Sequence, residues 1–173
     1  EESVGVFQAV LTDRLRVLGS DHPDTLTTRS NIASVLQDVG RVEEAIDAYQ
    51  VVLDDCLRVL GSDHPATLRA RGNLAAALLE VGRAREAVGA YRAALADQVR
   101  VLGPDHPATL AVRHNLAVAL RVAGWEEEAV ESFQAVLPDL LRVLGPDHLS
   151  ALLTRDNLVE ALSAAGRFDE AAS

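Results

Sequence analysis

The sequence predicts an all-α solenoid made of stacked antiparallel helix pairs. Three observations carry that expectation: a motif that returns every 42 residues, apolar side chains at helical spacing inside each period, and proline and glycine where such helices would start and stop.

The motif reads Leu18-Gly-Ser-Asp-His-Pro, and it returns at Leu60, at Leu102 with Pro104 for the serine, and at Leu144 with Pro146 and a closing Leu149. Self-similarity at a fixed spacing of about 20 to 50 residues marks repeats that stack, each touching its neighbours. The chain divides into a partial unit 1–17, full units 18–59, 60–101 and 102–143, and a partial unit 144–173, all one array. Glu1 to Val17 aligns with Glu43 to Val59, so the chain opens halfway through a repeat. With no methionine at all, it is read as a segment of a longer protein.

The elements follow in order. Residues 1–17 are the second helix of a pair. From Pro23, Leu26, Ile32, Ala33, Leu36 and Val39 fall on one helical stripe. Pro23 suits a first turn, where its missing N–H would have no partner anyway, and Gly40 ends the helix. A second stripe runs through Val42, Ala45, Ile46, Tyr49, Val52, Leu53, Cys56 and Leu57, to about Val59. Both stripes recur downstream, as Leu68, Leu74 and Leu78 with Tyr91 and Leu95, then as Leu110, Leu116 and Leu120 with Phe133 and Leu137. Small residues recur as faithfully. Ala33, Ala75 and Ala117 on the first helices, with Ala45, Ala87 and Ala129 on the second, mark places where two backbones approach closely.

Composition bounds the function. The chain is 49% hydrophobic, 24% charged and only 3% aromatic, a folded and soluble protein with an aliphatic core. Its formal charge of −10 argues against nucleic acid, whose binding draws on Lys and Arg. All sixteen cations are Arg, which fits a GC-rich bacterial genome. Uncharged stretches fall short of the roughly 18 to 20 residues of a membrane helix, and no basic-then-apolar leader occurs within these residues. No membrane partner is expected, and the expected location is cytoplasmic. Cys56, the single cysteine, lies on an apolar stripe and is read as a small core residue.

His22, His64, His106 and His148 each follow an aspartate. Residues one repeat apart lie at least about 8 to 10 Å from one another, whereas zinc needs several ligands at about 2.0 to 2.1 Å. No metal and no cofactor are therefore expected. Asp or His instead caps the first helix of each pair, and Arg16, Arg58, Arg100 and Arg142 are placed to pair with those aspartates. No nucleophile, base and orienting group converge, so the chain is read as non-enzymatic.

Three positions depart from the repeat. Pro138 stands inside the third second-helix and is expected to kink or break it. Trp125 replaces the arginine of positions 41, 83 and 167, and either packs on the adjacent loop or contacts a ligand. Leu149 replaces proline, so the last first-helix is expected to start late, with Ser150 as its cap. Apolar stripes at the two ends, including Val6 and Val10, are expected to drive end-to-end self-association of the segment.

The run Ile32-Ala33-x-x-Leu36 followed by Ala45-x-x-x-Tyr49, with its copies downstream, resembles the tetratricopeptide repeat family. Two features differ from the common form. Arg29, Arg71, Arg113 and Arg155 stand where the family has a large aromatic, and the period is 42 instead of 34. The longer period, with Arg113-x-Asn-Leu-Ala117 and Arg71-x-Asn-Leu-Ala75, is similar to the repeats of kinesin light chains and their bacterial relatives. The resemblance implies a right-handed superhelix whose first helices line a concave groove.

By that resemblance the groove carries Asn31, Asn73, Asn115 and Asn157, flanked by Arg69, Leu79, His114, Val118 and Arg121. A carboxamide both donates and accepts, so an asparagine ladder can pair with the backbone of an extended peptide, as matching asparagines do in kinesin light chain relatives. The other reading is that each asparagine braces the neighbouring helix. The lysine clamp that related chaperone cofactors use for a terminal carboxylate is absent, which disfavours a carboxy-terminal acidic peptide. The implied function is a non-enzymatic module binding a peptide or partner protein segment. The alternative is a regulatory sensor arm of a larger bacterial signal-transducing ATPase, although no Gly-x-x-x-x-Gly-Lys-Ser/Thr occurs here.

Overall fold

The computed structural model describes residues 2–171, with side chains from residue 5. They form α1 (Glu2–Leu18), α2 (Pro23–Asp38), α3 (Val42–Leu60), α4 (Pro65–Glu80), α5 (Ala84–Leu102), α6 (Pro107–Val122), α7 (Glu126–Leu144), α8 (Leu149–Ala164) and α9 (Phe168–Ala171), and no strand occurs among the described residues. The chain divides into two compact bodies, Glu1–Val81 with α1 to α4 and Gly82–Ser173 with α5 to α9. Within each body every helix packs on the next, and alternate helices also meet, α2 on α4 and α6 on α8.

Histidine starts the first helix of each pair. In His22, His64, His106 and His148 the backbone is extended and Nδ1 accepts the N–H two residues on, at 3.2, 3.1, 3.1 and 3.1 Å. Nδ1 is thus the acceptor nitrogen, and one otherwise free N–H of the first turn is satisfied. Leu149 does not delay α8. The helix begins in register at Leu149, with His148 and not Ser150 as the cap, because the cap bond needs the imidazole and not the proline.

Glycine ends these helices. Gly40 sits at φ 80°, its N–H reaches Gln37 O at 2.9 Å, and the next N–H, of Arg41, returns to Leu36 O at 2.8 Å. That pairing is a Schellman end, and the left-handed backbone at its pivot is one that L side chains rarely adopt.

The second helices start differently, on an arginine with no side-chain cap. Arg41 grips Glu44 through both oxygens at 2.7 and 2.6 Å, as Arg83 grips Glu86 and Arg167 grips Glu170. In α7 Trp125 takes the arginine's place, and Arg92 from α5 supplies the guanidinium instead. It pairs with Glu128 and lies 5.7 Å from the Trp125 ring centre. Trp125 therefore meets the Arg92 guanidinium of α5.

The core is aliphatic with one ring per pair. Tyr49, Tyr91 and Phe133 are fully buried, and so are Ala33, Ala45, Ala75, Ala87, Ala117 and Ala129, the small residues expected at close helix approaches. Cys56 is buried, and that burial pushes its thiol up.

A charge chain overlies the core in both bodies. Arg29 pairs with Asp55 at 2.7 Å, Asp55 with Arg58 at 2.8 Å, and Arg58 with Asp21 at 2.9 and 3.0 Å. Two periods later Arg113, Asp139, Arg142 and Asp105 repeat it. The loop before α2 thus meets the end of α3, as an antiparallel pair requires.

α7 runs unbroken through Pro138, contrary to the expected break. Proline removes one N–H from the ladder and crowds the carbonyls before it. Here the Arg113 guanidinium, while holding Asp139, also donates to the Ala135 carbonyl at 2.9 Å, so the disturbed turn gains a charged donor.

Candidate protein-interaction surface

In the first body, α2 and α4 diverge over α3 and leave a pocket of about 170 Å³. Leu26, Val52 and Cys56 form its apolar floor, while Ser30, Asn31, Arg69 and Asn73 stand around its mouth. Among the described residues these four polar side chains have no hydrogen-bond or ion-pair partner, and no carboxylate lines the pocket. In a chain of charge −10 that absence is local and chemical: the rim offers donors and one unneutralised cation. Ser34 is also on the rim, and below it the Tyr49 hydroxyl, whose pKa burial raises, donates to Gln37 Oε1 at 3.4 Å. Leu79 lies farther along α4, half-buried, beside Glu80, which accepts from Gln37 and ties the α2 and α4 ends together.

The second body places the corresponding side chains between α6 and α8 but engages them. His114 Nδ1 lies 2.7 Å from Thr154 Oγ1, and its ring meets Phe133 edge-on at 5.9 Å. Burial holds this imidazole below its usual 6.5, which favours the neutral form. Arg121 pairs with Glu160 at 3.0 Å and donates to Asn157 Oδ1 at 3.1 Å, while Asn157 Nδ2 donates to the Leu153 carbonyl. Burial pushes the Tyr91 hydroxyl, beside Asn115, up to about 12. Val118 is half-buried on α6. The asparagines thus divide: Asn31 and Asn73 are uncommitted, whereas Asn157 braces the neighbouring helix α6.

A second pocket in the first body, of about 400 Å³, opens between α1 and α3, with Leu11, Ile32 and Val51 in its mostly apolar wall. Sequence reasoning passed over it, because the helical stripes do not distinguish a filled gap from an open one. Among the described residues, no three His, Cys, Asp or Glu side chains gather as a metal site would need, and no helix is long and apolar enough to cross a membrane.

Residues 1–54, 26–98 and 76–138 match the family profile of the tetratricopeptide repeat. The chain belongs to the tetratricopeptide repeat family. This tetratricopeptide array is similar to the crystal structure of the putative kinesin light chain nearly identical TPR-like repeats of Podosopora anserina, at 32% identity and a TM-score of 0.86 over 99% of this chain and 81% of that one. A substituted form of those repeats matches at 31% identity and a TM-score of 0.87 over the same shares. BtubC (BKLC) from P. vanneervenii shares the fold, at 21% identity and a TM-score of 0.81 over 99% of this chain and 68% of that one. Among curated proteins, none matches. The tetratricopeptide fold is a general scaffold for protein–protein contacts, and its members are typically non-enzymatic.

Proposed function

We propose that this chain is a non-enzymatic interaction module and that an extended segment of a partner protein docks in the α2–α4 pocket. The observation that carries this reading is the set of uncommitted polar side chains there: Ser30, Asn31, Arg69 and Asn73 around an apolar floor. An extended backbone presents an unpaired N–H and C=O at each residue, and the carboxamides of Asn31 and Asn73 meet either polarity whatever the peptide's sequence. The floor of Leu26, Val52 and Cys56 takes a side chain, so selectivity comes from the fit of one apolar group.

Asn157, His114 and Arg121 hold intramolecular partners and would have to release them, which makes the second body's face the weaker contributor. The test is selection from a displayed random-peptide library, followed by titration calorimetry of a selected peptide. Asn31→Ala with Asn73→Ala is expected to weaken binding by about tenfold or more, the loss of hydrogen bonds to a desolvated backbone. Asn115→Ala with Asn157→Ala is expected to matter less. Unchanged affinity in the first pair would remove the pocket from the account.

A further inference from the structure

Two periods on from the α2–α4 pocket, the second body fills the corresponding place with its own side chains. Ser30 of α2 corresponds to His114 of α6, Cys56 of α3 to Leu140 of α7, and Ala70 of α4 to Thr154 of α8. The His114 imidazole reaches the Thr154 hydroxyl at 2.7 Å and stands edge-on to Phe133 at 5.9 Å. Leu140 is fully buried in a cluster with Leu110, Val136 and Ala151. In the first body Leu26 and Val52 keep the floor, and Tyr49 keeps the buried ring of Phe133. Ser30 and Cys56, however, are too short to fill what His114 and Leu140 fill. The pocket is thus a gap the size of one ring in an otherwise repeated core. Its volume of about 170 Å³ agrees, since an apolar cavity of about 150 Å³ holds one benzene molecule.

Thr154 and Ala70 decide which ring fits. The Thr154 hydroxyl donates to the Ser150 carbonyl at 2.6 Å, so toward His114 it accepts, and the imidazole Nδ1 carries the proton. Ala70 is 1% exposed and offers no oxygen at that place. An imidazole seated in the first body as His114 is in the second would bury an N–H with no acceptor, which opposes its binding.

We propose that the docked segment places a phenylalanine ring in this gap, and that Ser30, Cys56 and Ala70 set the choice. The two short side chains admit one ring, and the alanine turns away a polar one. This rests on the docking reading above and adds the identity of the anchor. The ring meets Tyr49 as His114 meets Phe133, edge to face, which favours it over leucine. An indole exceeds the space.

Toluene, 4-methylimidazole and 3-methylindole, the side chains of phenylalanine, histidine and tryptophan, are the first probes. Titrated into the labelled chain, toluene is expected to shift the methyl signals of Leu26 and Val52 to saturation, and the other two to leave them unmoved. Ser30→His with Ala70→Thr and Cys56→Leu copies the filled second body and is expected to abolish the toluene shifts. Should that variant fail to fold by circular dichroism, Ser30→His alone, at a half-buried rim position, carries the same expectation. The second arm uses library-selected peptides that Asn31→Ala with Asn73→Ala weakens. Replacing their phenylalanine by alanine is expected to cost about ten- to a hundredfold in affinity, the burial of one such side chain. Toluene that moves neither signal, or such peptides selected without a phenylalanine, would overturn the anchor and leave the docking reading standing. Selected peptides indifferent to the asparagine substitutions would overturn both.

Discussion

The Arg29 guanidinium meets the Asp55 carboxylate at 2.7 Å across the α2–α3 pair, with the two side chains only 26% and 23% exposed. This contact accounts for the arginine that stands where the family carries an aromatic. Arg29 lies over the helix pair as a ring would, and its charged end finds a fixed anion. The same contact returns as Arg113–Asp139, also at 2.7 Å, which makes it a property of the repeat and not of one site.

Removing Asp55 takes the bonded counter-charge from a partly buried guanidinium. Asp55→Ala is expected to destabilise the chain by about 1 to 3 kcal/mol in urea unfolding, because breaking one side of a sheltered pair costs more than the pair contributes. Asp13→Ala, which breaks the exposed Arg16 pair, is expected to cost under about 0.5 kcal/mol. Equal effects would remove the distinction.

Acid should act through Asp21. The Arg58 guanidinium, bonded to both carboxylate oxygens, holds Asp21 down to about 2 from an ordinary 3.8. Since the folded value lies below the unfolded one, the stabilisation is fully present above about pH 3.8 and is lost as pH falls toward 2. Asp139, held low by Arg113 and then Arg142, adds to the same loss. Melting temperatures over that window should fall less steeply for Arg58→Gln than for the parent.

His114 gives a separate signature at milder pH. Its half-buried imidazole takes up a proton less readily in the folded chain than in the unfolded one, so stability is lost as pH falls below 6.5. His114→Gln removes that titration. Its melting temperature is expected to decline less below pH 6.5, and an unchanged slope would contradict the neutral assignment.

Pro138 is exposed on α7, and its substitution restores an N–H without disturbing the core. Pro138→Ala is expected to stabilise the chain by about 1 to 3 kcal/mol in urea unfolding. A smaller gain would show that the Arg113 bond to the Ala135 carbonyl already offsets most of the proline's cost.

Helix positions were legible in the sequence because their signals are local. Pro23 after histidine and Gly40 at the far end bound α2 as read, and Pro65 and Gly82 bound α4 one period on. That α7 does not break at Pro138 was not legible, because Arg113, which donates to the Ala135 carbonyl in the turn before it, is 25 residues away in sequence and adjacent only in the fold. The Arg29–Asp55 contact had a signal that went unused: an aspartate follows each of Arg29, Arg71 and Arg113 at one fixed separation. The asparagines were legible as a row. What was not legible is that Asn157 is engaged and Asn31 and Asn73 are not, since that depends on Arg121 and how its side chain turns.

Backbone amide shifts recorded while a library-selected peptide is titrated into the labelled chain test the central reading most directly. The account predicts changes concentrated at Ser30, Asn31, Arg69 and Asn73. Changes confined to the α1–α3 gap around Leu11 and Val51, with the α2–α4 signals unmoved, would contradict it.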